Sequence, residues 1–202
     1  MRLNRILMRG LLALPLLLMA GTATAQTTAT AQSEDARFLT WLEGLRADAL
    51  ASGISQGTLD RSLVDVTPIP RIIELDRHQP ESTVTFEKYQ ARIVNATRIR
   101  IGRAQLAKHR ALLDEIGEKF GVQPRFVVAL WGIETNFGQF TGGFPVVDAL
   151  ATLAYDGRRS KYFRGELLKA LQILEEGHIE PAEMKGSWAG AMGQAQFMPS
   201  SF

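Results

Sequence analysis

The chain has 202 residues, 46% hydrophobic and 22% charged, which is enough length and apolar content for a folded core. Its formal charge is +2, and no dense Lys/Arg stripe is interleaved with aromatic residues, which argues against a nucleic-acid binder. There is no cysteine, so thiol nucleophiles, disulfide staples, Cys-based metal sites and a lipid-modified cysteine are excluded.

The first 25 residues read as a signal peptide. Arg2, Arg5 and Arg9 form a basic start, residues 11–20 a short apolar run, and Ala23-Thr24-Ala25 a cleavage site. The run is short for a membrane span and contains Pro15. Removing these residues takes away three positive charges and no negative one, leaving −1. The expectation is a soluble exported protein without a membrane anchor, periplasmic in a Gram-negative source. Residues 26–33, rich in Thr, Ala and Gln, read as a flexible tail, and 34–202 as one domain.

From Ser33 the pattern is helical. Phe38, Trp41, Leu42, Leu45 and Leu50 recur at helical spacing, and Gly53 ends the run. Residues 55–64 predict a short helix with Leu59 and Leu63 on one face, and Thr67-Pro68-Ile69-Pro70 breaks it. Residues 71–82 read as an extended connection. Helix signals resume at Thr85, with Phe86, Tyr89 and Ile93 in one stripe. A longer helix is expected over 95–120, capped by Gly121. Pro124 suits the first position of the next helix, which is apolar nearly all round and so is expected to be central and buried. Residues 141–145 form a turn, and 148–155 and 162–174 two more helices. No strand alternation is evident, so the fold class is all-α.

The stretch from Gly186 to Phe202 differs in character. Gly, small residues, amides and hydroxyls dominate, which suits a loop and short helix whose backbone comes close to a ligand. The chain stops inside this segment, and the expectation is a fragment of a longer protein.

Glu134 is the one carboxylate in the apolar helix, with Leu130, Trp131 and Phe137 one turn away. Burial among such groups, near a helix C-terminus, is expected to keep its proton on, as general-acid cleavage of a glycosidic bond requires. The bland alternative is a core Glu paired with an arginine. A glycosidase ordinarily needs a second carboxylate, for which Asp148, Glu166 and Glu183 are candidates, unless the substrate supplies its own nucleophile. Ser187 and Gln196 are either exposed loop polarity or donors to an N-acetyl sugar. Arg158 and Arg159 either start a solvated helix or grip a carboxylate. Tyr89 is either core or a stacking platform. His78, His109 and His178 lack zinc spacing, and no nucleophile elbow, phosphate loop or dinucleotide fingerprint occurs, so no metal or cofactor is expected.

Residues 131–138 (Trp-Gly-Ile-Glu-Thr-Asn-Phe-Gly), 148–155 (Asp-Ala-Leu-Ala-Thr-Leu-Ala-Tyr), 158–163 (Arg-Arg-Ser-Lys-Tyr-Phe) and 186–201 (Gly-Ser-Trp-Ala-Gly-Ala-Met-Gly-Gln-Ala-Gln-Phe-Met-Pro-Ser-Ser) together resemble the membrane-bound lytic murein transglycosylase B family. The resemblance implies a lysozyme-like helical fold and non-hydrolytic cleavage of the β-1,4 bond between N-acetylmuramic acid and N-acetylglucosamine, leaving a 1,6-anhydro end. By that likeness Glu134 is the sole acid/base. Ser187 and Gln196 line the subsite of the reacting sugar, and Tyr89, Arg158, Arg159 and Tyr162 contact glycan. Peptidoglycan strands are the implied partner, with other cell-wall enzymes as further ones. Many members are lipoproteins, and members continue past the Met-Pro-Ser-Ser motif, in some with a calcium-binding loop. The alternatives are a hydrolytic muramidase and a non-catalytic peptidoglycan-binding module.

Overall fold

The computed structural model describes residues 22–78 and 84–202, with side chains from residue 34 onward. The basic and apolar parts of the leader therefore lie outside the described residues. The chain divides into two units, Met1–Leu39 and Thr40–Phe202. Helix α1 is assigned to Thr22–Ala51, so the backbone of the 26–33 stretch is helical. The second unit holds the core and the site.

The elements that follow are α2 (Gln56–Ser62), α3 (Pro70–Arg77), α4 (Phe86–Ile93), α5 (Ala96–Lys108), α6 (Arg110–Phe120) and α7 (Pro124–Thr135). Then come β1 (Phe144–Pro145), α8 (Val146–Asp156), α9 (Ser160–Glu175), β2 (Lys185–Gly186) and a 3-10 turn at Pro199–Ser201. Starts are set by side chains that accept from orphan amides: Ser55 from Thr58 N, Thr85 from Lys88 N and Asn95 from Arg98 N.

The centre of the fold is α8. Val146, Val147 and residues 149–154 are all buried. α9 packs along it with Phe163, Leu167, Ala170, Leu171 and Leu174, an i, i+4, i+7 stripe. α3 stands on α8 and α2 on α9. Thr152, fully buried, links two elements: its hydroxyl donates to Asp148 O (2.7 Å) and accepts from Ile69 N (3.0 Å). α5 and α6 pack on α7 as a second, thinner layer. β1 and β2 pair antiparallel, Phe144 opposite Gly186, and pin the closing segment to the start of α8.

Three expectations are corrected. Residues 70–77 are helical, because Pro70 sits at the first position and Ile72 finds a buried place. The 95–120 helix is broken at His109, whose backbone leaves the helical region (φ −105°, ψ 20°). α7 is not the central element. It buries Val128, Gly132 and Thr135, while Phe126, Leu130 and Ile133 are exposed. An apolar surface around the whole helix does not fix which stripe is covered; here the Val128, Gly132 and Thr135 positions are, and those of Phe126, Leu130 and Ile133 are not.

Candidate active site

The C-terminal turn of α7 carries Glu134. Its side chain lies at the surface, beside Leu130, which is 60% exposed. Among the described residues no hydrogen bond or ion pair engages the Glu134 carboxylate. The expected burial among apolar neighbours is therefore not present in the free chain, because Leu130 and Ile133 share the uncovered face. Among the described residues no arginine pairs with Glu134 either.

The turn beyond Glu134 is tightly specified. Asn136, Phe137 and Gly138 are all left-handed, with φ of 50°, 61° and 83°. Each non-glycine residue there costs roughly 1–3 kcal/mol and persists only when surrounding contacts hold it. Those contacts are present. The Phe137 ring folds back onto Gly132, where an added Cβ would lie 2.7 Å from the ring, and meets Trp131 edge-on at 5.6 Å. Trp131 also meets His109 edge-on at 5.8 Å. The Thr135 hydroxyl, 1% exposed as a residue, accepts from Gly138 N (3.0 Å) and donates to Gln194 O (2.8 Å). The Trp131 indole donates to Gln194 Oε1 (2.7 Å).

The segment from Ser187 to Phe197 folds back on itself beside this turn. Ser187 Oγ accepts from Ala191 N (3.0 Å), and Met192 pairs with Phe197. Gln196, itself left-handed, donates its amide to Thr141 O (3.1 Å) and Gly193 O (2.9 Å). Gly190 passes so close to α8 that a Cβ would lie 2.5 Å from Leu150. The two residues expected to meet an N-acetyl sugar thus also shape their own loop. Their hydroxyl and amide are part of the scaffold as well as its surface.

Arg158 and Arg159 take the carboxylate reading, but the carboxylate is the chain's own. Arg158 Nε donates to Asp76 Oδ2 (2.6 Å), and Arg159 donates to Asp76 Oδ1 (2.7 Å). The hydrogen bonds from Arg158 hold the Asp76 carboxyl below its ordinary range, against the opposing effect of burial. Both guanidinium groups remain half-exposed, and with Lys161, Tyr162, Lys169 and Ser200 they line an open cavity of about 830 Å³. Tyr162 is exposed and lies edge-on to Phe163 at 5.1 Å.

Of the candidate second carboxylates, Glu166 is buried and already engaged, accepting from Ser200 N (2.9 Å) and Ser200 Oγ (2.8 Å). Asp148, in the first turn of α8, is pushed above its ordinary value by burial. Glu183 is exposed. Tyr89 is exposed on α4, a helix with no buried residue. The end of α4 leads to an apolar cavity of about 230 Å³, walled by Ile93 and Ile99 on one side and by Val128, Gly132 and Ile133 on the other. The structure therefore bonds the α7 turn to Gln194, in the loop that also carries Ser187 and Gln196, and gathers Arg158, Arg159 and Tyr162 around another opening.

Sequence reasoning missed Asp76, Thr135 and Gln194. Asp76 lies 82 residues from the arginine it meets, and no local signal marks such a pair. Thr135 was visible as a hydroxyl in a helix end, next to a residue already singled out.

Three comparisons bear on this arrangement. The family described as transglycosylase SLT domain matches residues 37–202. Membrane-bound lytic murein transglycosylase B of Escherichia coli (strain K12) is 35% identical over 116 residues, 57% of this chain and 32% of that protein. The crystal structure of SltB3 from Pseudomonas aeruginosa in complex with NAG-NAM-pentapeptide superposes with a TM-score of 0.78 at 44% identity, covering 81% of this chain and 44% of that one. Soluble lytic transglycosylase SltB1 from Pseudomonas aeruginosa gives 0.73 at 33% identity, covering 80% and 55%. The chain thus spans between about a third and about half of these relatives.

Proposed function

The chain belongs to the transglycosylase SLT domain family, with its lysozyme-like helical fold, and from that premise we propose that it cleaves peptidoglycan as a lytic transglycosylase with Glu134 as the only acid/base. The observation that carries the reading is the state of Glu134: a carboxylate with no partner among the described residues, on the last turn of a helix whose end is bonded to the Ser187–Phe197 segment.

The chemistry needs no second carboxylate. Glu134 gives its proton to the glycosidic oxygen as the bond to C1 breaks. It then takes the proton of the muramoyl 6-hydroxyl as that oxygen bonds to C1. The proton count on the enzyme is unchanged, water is not consumed, and the product carries a 1,6-anhydro ring. Glu134 is exposed among the described residues, and in this reading bound glycan contributes to its desolvation. Ser187 and Gln196 face the reacting N-acetyl sugar. Tyr89, Arg158, Arg159 and Tyr162 contact flanking glycan, the arginines with the donors left over from Asp76. The engagement of Glu166 by Ser200 disfavours a hydrolytic mechanism through that carboxylate.

Substrate location follows from the substrate. Peptidoglycan lies outside the cytoplasmic membrane, and residues 1–25 supply the export signal to the periplasm. No helix among the described residues is long and apolar enough to cross a membrane. Association with other cell-wall enzymes belongs to the same proposal.

The test is digestion of peptidoglycan by the full chain with mass analysis of the products. Muropeptides ending in 1,6-anhydro rings are expected, and their loss in folded Glu134→Gln. Reducing ends in their place make the protein a hydrolase. Glycan binding without turnover makes it a binding module.

A further inference from the structure

Gln194 is a surface residue, yet it is held from three directions by residues that bracket Glu134. Its Oε1 accepts from the Trp131 indole (2.7 Å), three residues before the acid. Its backbone oxygen accepts from the buried Thr135 hydroxyl (2.8 Å), one residue after. Its side chain lies on Gly138, four residues after, where an added Cβ would be 2.5 Å from Oε1. Only glycine leaves room for the amide there. The indole N–H is a donor only, so the amide must turn its oxygen towards Trp131. Its two N–H donors have no partner among the described residues.

The turn that Gln194 touches is braced locally by the Phe137 ring on Gly132 and by Gly138 N on the Thr135 hydroxyl, and Gln194 adds its tie to the distant loop. Two non-glycine residues and a glycine in succession are left-handed, and the Thr135 hydroxyl that braces them also holds Gln194. We propose that Gln194 is a positioning residue. It fixes the last turn of α7, and with it the Glu134 carboxyl, in register with the loop that carries Ser187 and Gln196. This rests on the assignment of Glu134 as the acid. The catalytic helix and the sugar-side loop are 59 to 63 residues apart in sequence. Gln194 joins them from the loop side, through its own backbone and side chain. Displacing a reacting group by about 1 Å costs on the order of a hundredfold in rate, far more than a single surface hydrogen bond contributes to folding. Loss of the clamp therefore appears in turnover before it appears in stability.

The experiment compares the full chain with Gln194→Met, which keeps the length of the side chain and removes the acceptor. Kinetics on soluble glycan oligomers are expected to show kcat falling by about tenfold to a hundredfold with KM nearly unchanged and the melting midpoint shifted little. Thr135→Ser is expected to keep turnover and Thr135→Val to lose it. Hydrogen exchange at the Trp131 indole N–H is expected to be slow in the wild-type chain and fast in Gln194→Met. Wild-type kcat in Gln194→Met, or a loss confined to KM, overturns the proposal. If Gln194→Met does not fold, the Thr135 pair decides, and equal turnover in Ser and Val overturns it. A wild-type chain that releases no anhydro product defeats the functional reading instead. Indole exchange then still decides the clamp, and equal rates in the two chains overturn it.

Discussion

Arg158 and Asp76 meet through two nitrogens of one guanidinium and both oxygens of one carboxylate, across 82 residues of sequence. Asp76 is almost wholly buried on α3, whereas Arg158 sits half-exposed at the turn between α8 and α9. The pair, with Arg159, pins α3 to that turn.

Asp76→Asn should destabilise the chain by about 2–3 kcal/mol at pH 7, less than a fully buried pair because the arginines stay hydrated. The Arg158 bonds depress the Asp76 pKa, so the stabilisation is present above the unfolded value near 3.9 and is lost as pH falls through the lower folded value. Urea unfolding of both chains should show a constant gap from pH 5 to 7 that narrows below pH 4. A gap independent of pH would remove the ion pair as its cause.

Asp148 carries the opposite sign. Burial raises its pKa, so ionisation costs stability above the folded value, and the cost is relieved as pH falls through it. Asp148→Asn should raise the melting midpoint by a few degrees at pH 7, with the gain fading in acid. The same variant should retain the anhydro product, because the carboxylate has no role in the proposed cycle.

Gly132→Ala tests the cradle under the Phe137 ring. A Cβ 2.7 Å from an aromatic carbon cannot be accommodated without moving the ring and the left-handed turn behind it. Destabilisation of about 1–3 kcal/mol is expected, together with loss of turnover. Calorimetry and product release on one preparation measure both.

Glu166→Ala should cost roughly 1.5–3 kcal/mol, since a buried carboxylate accepts from both the amide and the hydroxyl of Ser200. Product analysis of the surviving folded chain should still give 1,6-anhydro ends. A switch to reducing ends, or abolition of turnover in a stable variant, would assign Glu166 a chemical role.

Helix starts were legible wherever a single side chain sets them, as at Ser55, Thr85 and Asn95. The helix over 162–174 and the Gly121 cap were legible too, because both are local. The break at His109 was not, since the apolar spacing runs on through it. Glu134 stood out as a charge among apolar residues, yet the inference that those residues cover it failed. Periodicity reports where apolar side chains are, and which stripe is covered depends on neighbours far along the chain. The arginine partners of Asp76 and the Gln194 partner of Thr135 were invisible for the same reason: each is supplied from 59 or more residues away.

The Phe137 ring and Gly132 are five residues apart, so the closure behind the acid is a local event, available as soon as α7 has wound. The Trp131 and Thr135 bonds to Gln194 wait for a chain excursion of about sixty residues to return. During folding the carboxyl is mounted early and aimed late. A chain in which α7 has wound but the Gln194 loop has not returned carries the acid without these two bonds.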